Sequence, residues 1–307
     1  PAKYLSWSGR VLDNRFLSNL TKTEWDSVTN FVKTKLTDSL IVYSVNLLPK
    51  EHVKIAGEYL INNLKSRRNL LTDYSEEYYN WINLIVEIYG TVKDDYAIIN
   101  RLSDSTTQVL LYKKNKKNEY HNQQPFYSNL FYNNKCEEIR LFLLEGDDEI
   151  IIKGNVDYSP YIKVSGGDGK DSFIDSSHVN GYLFSFLPIP NAENKTIFYD
   201  GGEHTLFKTG DGTIINKDKE VLPKTDEERF EPTYIQRGYD LFYLPNIEYN
   251  RSNGLIMGIG PEYTSYNFRM NPYDYRLSFT AKYATVPKTY HLVLHGEFNN
   301  IIKNTII

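Results

Sequence analysis

The sequence predicts an α+β fold with an N-terminal helical segment (1–83), a central β-rich domain (84–230) and a set of C-terminal antiparallel strands (231–307). Two observations support this division. Apolar residues recur every three to four positions before residue 84 and mostly every two positions after it, which are the periods of helices and strands. Frequent Asn and Gly residues in the central region favour many short strands over a doubly wound α/β sheet.

Composition and charge exclude several functional classes. The 307 residues are 40% hydrophobic and 24% charged, which is the composition of a globular protein and not of a disordered one. No apolar run reaches the roughly 18 residues of a membrane-spanning helix. The formal net charge is -4 and no face is predicted to carry clustered Lys and Arg, which nucleic-acid binding requires. We therefore expect no nucleic-acid partner.

The sequence contains none of the common catalytic motifs. It lacks the H-E-x-x-H, G-x-S-x-G and Walker loop patterns. Cys136 is the only cysteine, so an internal disulfide and a zinc site built from cysteines are both excluded. We predict that these residues are not an enzyme. An active site assembled from dispersed Asp and His residues is the enzymatic alternative.

Three helices are predicted in the first 83 residues. Thr21 and Glu24 form a capping box that opens a helix through about Leu36. Pro49 suits the first position of a second helix, because its missing N–H would be unpaired there in any residue. A third segment follows Arg67 and Arg68. Its core face is predicted from residues at helical spacing, namely Leu71, Tyr74, Tyr78 and Trp81.

The central region is predicted to contain short strands joined by tight turns. Alternating apolar residues define each strand, and Asp-rich pairs such as Asp94-Asp95 mark the turns. We expect these turns to stack in a small, solenoid-like domain. The clearest predicted strands are Leu84 to Ile88, Tyr96 to Leu102, Gln108 to Tyr112 and Glu138 to Leu144.

One turn carries a possible calcium motif. The segment from Gly166 to Ile174 matches the calcium-binding pattern G-G-x-G-x-D-x-U-x, whose glycines permit a tight turn and whose carboxylates are hard oxygen ligands. One copy supplies half a site, and the nearest second half is Leu144 to Ile150. Calcium binding would need Asp147 or Asp148 to converge on Asp168 or Asp171. Alternatively, these residues only shape the stacked turns.

The C-terminal region has the cleanest alternation in the chain. Each of four stretches of about nine to eleven residues places apolar side chains on one face and polar side chains on the other, with tyrosines near both ends. The four apolar sets are Leu241, Tyr243, Ile247 and Tyr249; Leu255, Met257, Ile259 and Tyr263; Tyr275, Leu277, Phe279, Ala281 and Tyr283; and Tyr290, Leu292, Leu294 and Phe298.

This pattern predicts either the wall of a transmembrane β-barrel or a soluble sheet whose apolar face packs on a core. Alternation alone favours neither. Four strands cannot close a barrel in lipid, where about eight are the minimum. Because the sequence begins at Pro1 without an initiator Met, signal peptide or lipobox, we expect it to be a mature or an excised piece of a longer protein. In the barrel interpretation the lipid-facing residues are Tyr275, Leu277, Phe279, Tyr283, Leu292 and Leu294.

A resemblance to a known family favours the barrel. It is carried, in chain order, by Leu47-Leu48-Pro49, Leu64 to Leu71, Glu138 to Asp148, Gly166 to Asp171, and Asp240 to Tyr283 with Asn267-Phe268-Arg269 and Asn271-Pro272-Tyr273. These segments resemble the linker region and early barrel of large outer-membrane proteins in the barrel-assembly-factor superfamily. In that superfamily a calcineurin-like metallophosphatase domain often precedes the linker.

The resemblance implies a non-catalytic scaffold of the Gram-negative envelope that ends in an outer-membrane β-barrel. Its partners would be outer-membrane lipid and other envelope proteins or barrel-assembly components, with the other domains periplasmic or surface-exposed. The phosphatase ligand motifs are absent from these residues, so no catalytic role carries over, although such a domain would precede them in a longer protein. The alternative is a soluble secreted module that binds a glycan or protein and uses a calcium-stabilised turn.

Overall fold

The structure is a computed structural model that describes residues 9–17, 20–114, 124–184, 187–201, 204–217, 237–270 and 272–299. It confirms the α+β class, and its sheets are not closed. The chain divides into two compact units, Pro1–Leu222 and Pro223–Ile307. Asn271, which belongs to one of the segments that carry the resemblance, lies outside the described residues. Among those residues, none of the helices is long and apolar enough to cross a bilayer.

The N-terminal unit begins with helices, and the three predicted ones are present. The capping box is confirmed, since the Glu24 N–H donates to Thr21 Oγ1 at 3.3 Å and the Thr21 N–H donates to the Glu24 carboxylate at 2.8 Å. Pro49 lies at the N-cap and not at the first helical position. The described helices are α1 (Arg10–Leu17), α2 (Lys22–Lys35), α3 (Asp38–Asn46), α4 (Lys50–Asn69) and α5 (Leu71–Ile82).

Side-chain hydrogen bonds pair α2 with α5, α3 with α4, and α5 with α1, where Tyr78 Oη donates to the Asp13 carboxylate. Trp25 Nε1 on α2 donates to Ser75 Oγ on α5 at 2.7 Å. Asp38 at the start of α3 accepts from Arg68 Nη1 at 2.6 Å and from Lys65 Nζ at 3.0 Å, both on α4. Helices α1 and α3 were not predicted. Helix α3 is capped at its N-terminus by Thr37, whose Oγ1 accepts a hydrogen bond from the Leu40 N–H.

Among the described residues of this unit fourteen strands follow, and the change from helix to strand falls between Ile82 and Ile85. They are β1 (Ile85–Tyr89), β2 (Asp95–Ser103), β3 (Thr106–Lys113), β4 (Tyr127–Tyr132), β5 (Glu138–Phe142), β6 (Glu149–Lys153), β7 (Asn155–Val156), β8 (Tyr161–Ser165), β9 (Ser172–Asp175), β10 (His178–Phe184), β11 (Leu187–Ala192), β12 (Thr196–Tyr199), β13 (Leu206–Thr209) and β14 (Thr213–Asn216).

Successive strands enter different sheets, so strands distant in sequence become neighbours. One sheet has the order β1-β5-β8-β12-β14, and all its pairings are parallel. The second has the order β13-β9-β6-β2-β3-β4, in which only the β2-β3-β4 part is antiparallel. Strands β11, β10 and β7 form the third sheet. Parallel pairing thus brings strands from distant parts of the chain side by side.

The core of this unit consists of columns of side chains that the parallel register stacks. In the first sheet Ile88, Leu141, Val164 and Phe198 follow one another across four strands. In the second sheet the corresponding column is Ala97, Ile150, Phe173 and Phe207. Both columns belong to one continuous apolar cluster. This register buries apolar surface at every step, and such burial is the main force that stabilises a fold.

A buried arginine connects three levels of the stack. Arg101 at the end of β2 donates to Ser177 Oγ at 3.2 Å, to Thr196 Oγ1 at 2.9 Å and to the Pro160 carbonyl at 3.2 Å. Burial lowers the pKa of Arg101 to about 10, and the nearby Asp175 carboxylate opposes that shift. These hydrogen bonds offset part of the free-energy cost of burying the Arg101 guanidinium group.

The C-terminal unit is an antiparallel sheet in simple sequence order. It contains β15 (Tyr239–Asn250), β16 (Gly254–Ser265), β17 (Tyr275–Ala284) and β18 (Thr289–Phe298), arranged β15-β16-β17-β18. Short turns join β15 to β16 and β17 to β18, as the sequence predicts. Each strand alternates its side chains between the two faces of the sheet.

Gly167 offers a test of how tightly the turns are stacked. Its φ is 90°, and a Cβ there would lie 1.8 Å from the Leu144 carbonyl oxygen, which accepts the N–H of Asp168 at 2.9 Å. We expect Gly167→Ala to lower the free energy of unfolding by about 1–3 kcal/mol, because both strain and a displaced hydrogen bond follow. Urea unfolding of the variant and the wild type measures this.

Gly210→Ala is the matched control. A Cβ at Gly210 would meet only the Asp175 carbonyl oxygen at 3.7 Å, which is an ordinary contact. We expect a change there of less than about 1 kcal/mol. Equal losses in the two variants would contradict the stacking of Gly167 on Leu144.

Candidate functional site

The C-terminal sheet has one continuous apolar face. The strand register pairs Phe279 with Leu294 and Tyr283 with Tyr290, and the same face continues across β16 and β15. The residues predicted to face lipid all lie on it: Tyr275, Leu277, Phe279, Tyr283, Leu292 and Leu294. The structure therefore brings together the side chains that the alternation singled out, while their contact with lipid stays a prediction.

These side chains are exposed to a degree that is unusual for a water-soluble sheet. Leu292, Leu294 and Tyr290 keep 70%, 78% and 79% of their surface accessible. On β15 every apolar side chain of the face is exposed as well, including Ile247 and Tyr249. Contiguous apolar surface of this extent marks a site that contacts protein or lipid.

Aromatic rings border the apolar face at both ends. At one end four rings lie in a row across the strands, with centroids 5.3 Å apart for Tyr239 and Tyr263, 6.0 Å for Tyr263 and Tyr275, and 6.1 Å for Tyr275 and Phe298. At the other end the rings of Tyr283 and Tyr290 are 5.1 Å apart. Tyr275 and Tyr283 are eight residues apart, so the two groups of rings are about 26 Å apart along the strand.

The opposite face of the sheet is largely polar and carries paired charges. Lys282 Nζ lies 3.0 Å from Glu248 Oε1, and hydrogen bonding to Lys282 keeps the pKa of Glu248 below its usual value. Arg276 lies between Glu262 at 3.8 Å and Glu297 at 3.6 Å. The charged side chains of the sheet thus lie on this face, which also carries the exposed apolar side chains Phe242, Leu244 and Val293.

The predicted calcium ligands are brought near one another but do not share one environment. Asp147 and Asp168 are exposed, whereas Asp148 and Asp171 are buried. Asp147 Oδ1 accepts the Lys170 N–H at 2.9 Å, and Asp171 Oδ1 accepts the Asp148 N–H at 2.9 Å. These carboxylates thus bind backbone groups of neighbouring turns, which is the role of turn-shaping residues.

No metal centre is formed within the described ranges, where no three His, Cys, Asp or Glu side chains are grouped to hold an ion. Calcium binding stays a prediction without support from the geometry. Asp95 and Asp200 are buried as well, and neither was predicted as a site residue. For Asp95 a signal was present in the sequence, because Asp94-Asp95, like Asp147-Asp148 and Lys170-Asp171, lies at the start of a strand.

Cys136 is a buried thiol that belongs to the apolar core and not to a reactive site. Its Sγ donates to the Glu138 carbonyl at 3.6 Å, and burial raises its pKa to about 12. The fraction of thiolate at neutral pH is therefore on the order of 10³-fold smaller than for a free cysteine.

We expect a maleimide or disulfide reagent to leave Cys136 unmodified in the folded chain at pH near 8 and to modify it fully in denaturant. The reason is that the thiolate is the reactive species and burial suppresses it. Mass spectrometry after timed labelling measures the modified fraction. Complete modification of the folded chain within minutes would contradict the burial of this residue.

Comparison with known proteins assigns no family to the chain. No protein-family model matches the sequence, and no significant similarity is found to a curated protein or to a solved structure. The function must therefore be inferred from the residues themselves.

Proposed function

We propose that the C-terminal sheet is part of the wall of an outer-membrane β-barrel. Its apolar face would contact lipid and its polar face would line the interior. The observation that carries this proposal is the exposed apolar face between two groups of aromatic rings that are about 26 Å apart along the strands, because outer-membrane barrels have an apolar band between aromatic girdles. The proposal requires further strands to complete the barrel.

Three features of the sheet support this proposal over a soluble sheet. The strands have 10 to 12 residues, the length at which tilted strands span a bilayer. The paired charges of Lys282 and Arg276 all lie on the opposite face. The apolar face is exposed, whereas a soluble sheet would cover it with a second layer.

The N-terminal unit would be a non-catalytic scaffold of the envelope, and its stacked strands would form a short β-solenoid. Parallel neighbours separated by 53 and then 23 residues support this, because each step adds one turn to the stack. Such a unit would position an upstream domain, of the metallophosphatase type in the family that the sequence resembles, or a partner complex near the barrel.

A charge on the apolar face tests the orientation of the sheet. Phe279 lies midway between the two aromatic rows, so Phe279→Arg would place a cation at the middle of the bilayer, at a cost of roughly 2–4 kcal/mol. We expect this variant to be largely lost from the outer-membrane fraction of expressing cells. Immunoblotting of fractionated membranes measures the loss.

Thr280→Arg is the matched control, because Thr280 is the next residue of β17 and lies on the polar face. We expect it to remain in the membrane at nearly the wild-type level. The proposal is contradicted if the wild-type chain stays monomeric in water without detergent and Phe279→Arg unfolds it. That result would identify a soluble sheet, with the apolar face inside a core.

A further inference from the structure

The connection from β16 to β17 is packed, unlike the two turns at the opposite end of the C-terminal sheet. It comprises residues 266–274, all of them described except 271, and among the described ones only Pro272 is exposed. Phe268 and Tyr273 keep 3% and 8% of their surface accessible. The turns 251–253 and 285–288, by contrast, contain exposed residues such as Arg251 and Val286. We call residues 266–270 and 272–274 the inner loop.

Tyr273 shows to which face of the sheet the inner loop turns. Strand β17 begins two residues later at Tyr275, whose side chain is on the apolar face, so a straight strand would place Tyr273 on that face as well. Instead, Tyr273 Oη donates to the Glu297 carboxylate on β18, and Arg276 Cζ lies 4.4 Å from the centre of the Tyr273 ring. Both partners belong to the polar face. The inner loop therefore bends towards the polar face before β17 begins.

Three further hydrogen bonds hold the inner loop against neighbouring strands. Asn299, which follows β18, donates from Nδ2 to the Tyr273 carbonyl at 3.0 Å and from its N–H to the Asp274 carbonyl at 2.9 Å. On the other side, Tyr266 Oη donates to Oδ2 of Asp240 on β15 at 2.9 Å. The inner loop is thus attached to the two strands that flank the pair it joins.

The contacts of Tyr273 are of a kind that holds a segment firmly. Hydrogen bonds to ionised carboxylates are roughly twice as strong as those between neutral groups. An arginine over an aromatic ring adds a cation–π attraction. Because Tyr273 is almost fully buried, water competes little with either contact. We therefore expect the inner loop to stay in place while the sheet is folded.

We propose that the inner loop is a plug that projects into the mouth of the barrel and blocks the interior to solutes. This inference rests on the proposed function, in which the polar face lines the interior. A loop packed on that face occupies the interior at the end where β15 begins and β18 ends. The interior of outer-membrane barrels is either a water-filled channel or filled by loops or a helix, and the inner loop assigns this protein to the second kind.

Limited trypsin digestion of the intact protein in detergent tests whether the inner loop is held. Trypsin cleaves after Arg269, in the inner loop, and after Arg251, in an exposed turn, so one chain contains the test site and its control. We expect cleavage of the wild type after Arg269 to be at least about tenfold slower than after Arg251, because cleavage requires local opening. Mass spectrometry of timed samples measures both rates.

Tyr273→Phe keeps the ring against Arg276 and loses only the hydrogen bond to Glu297. We expect this variant to be cleaved after Arg269 about tenfold faster than the wild type, since it lacks a hydrogen bond to a charged group. The rate of cleavage after Arg251 should not change.

Conductance across a planar phospholipid bilayer tests whether the held loop blocks the interior. We expect the wild type to insert without a steady open current. Tyr273→Ala removes the ring as well as the hydrogen bond, so we expect it to give a steady current. Val286→Ala, in an exposed turn at the other end of the sheet, is the matched control and should behave as the wild type does. Flotation with lipid vesicles measures insertion independently of any current.

The outcomes separate the plug from the barrel itself. The plug is overturned, and the barrel is not, if the inserted wild type conducts as well as Tyr273→Ala, if neither conducts, or if the wild type is cleaved equally fast after Arg269 and Arg251. A wild type that does not float with lipid vesicles overturns the barrel, and the plug with it.

Discussion

The apolar face of the C-terminal sheet is the constraint on which the account of this protein depends. Full burial of a single Leu, Ile or Phe side chain stabilises a protein by roughly 1.5–3 kcal/mol, so a face covered with such residues is unfavourable in water. Lipid removes that face from water without any second layer of protein. The aromatic rows fit the same interpretation, because tyrosine rings place an apolar body in hydrocarbon and a hydroxyl group in the interface.

The N-terminal unit satisfies a different constraint, which is the stacking of turns in parallel register. Stacking buries columns of apolar side chains, but it also buries polar groups at the corners, and these must find partners. Arg101 finds hydroxyl and carbonyl oxygens on other levels of the stack. Glu138 pairs with Arg140 at 2.5 Å and with Lys163 at 2.8 Å. At the turns, the carboxylates of Asp95 and Asp148 accept hydrogen bonds from the backbone N–H groups of Thr91 and Asp95.

Local signals predicted much of this fold, and long-range pairings account for what was missed. The strands β15 to β18 could be derived because short turns fix their register and alternation fixes their faces. Helix α2 could be derived from the Thr21 cap, whereas α3 has only nine residues, and its apolar residues from Leu40 to Tyr43 are consecutive and show no helical period. The pairing of Asp95 with Asp148 spans 53 residues and skips the β3-β4 hairpin. No local period encodes that distance, so the hydrogen bond from Asp95 to Asp148 could not be derived from the sequence alone.

The most direct test of the central claim is a fluorescence scan of β17 in lipid. An environment-sensitive dye is attached to single cysteines introduced one at a time at the four consecutive positions from Leu277 to Thr280, in the intact chain reconstituted into phospholipid vesicles. Cys136 is buried and adds little background. The account predicts strong emission quenched by spin-labelled lipid at 277 and 279, and weak emission quenched by aqueous iodide at 278 and 280. Equal access of iodide to all four positions would contradict it.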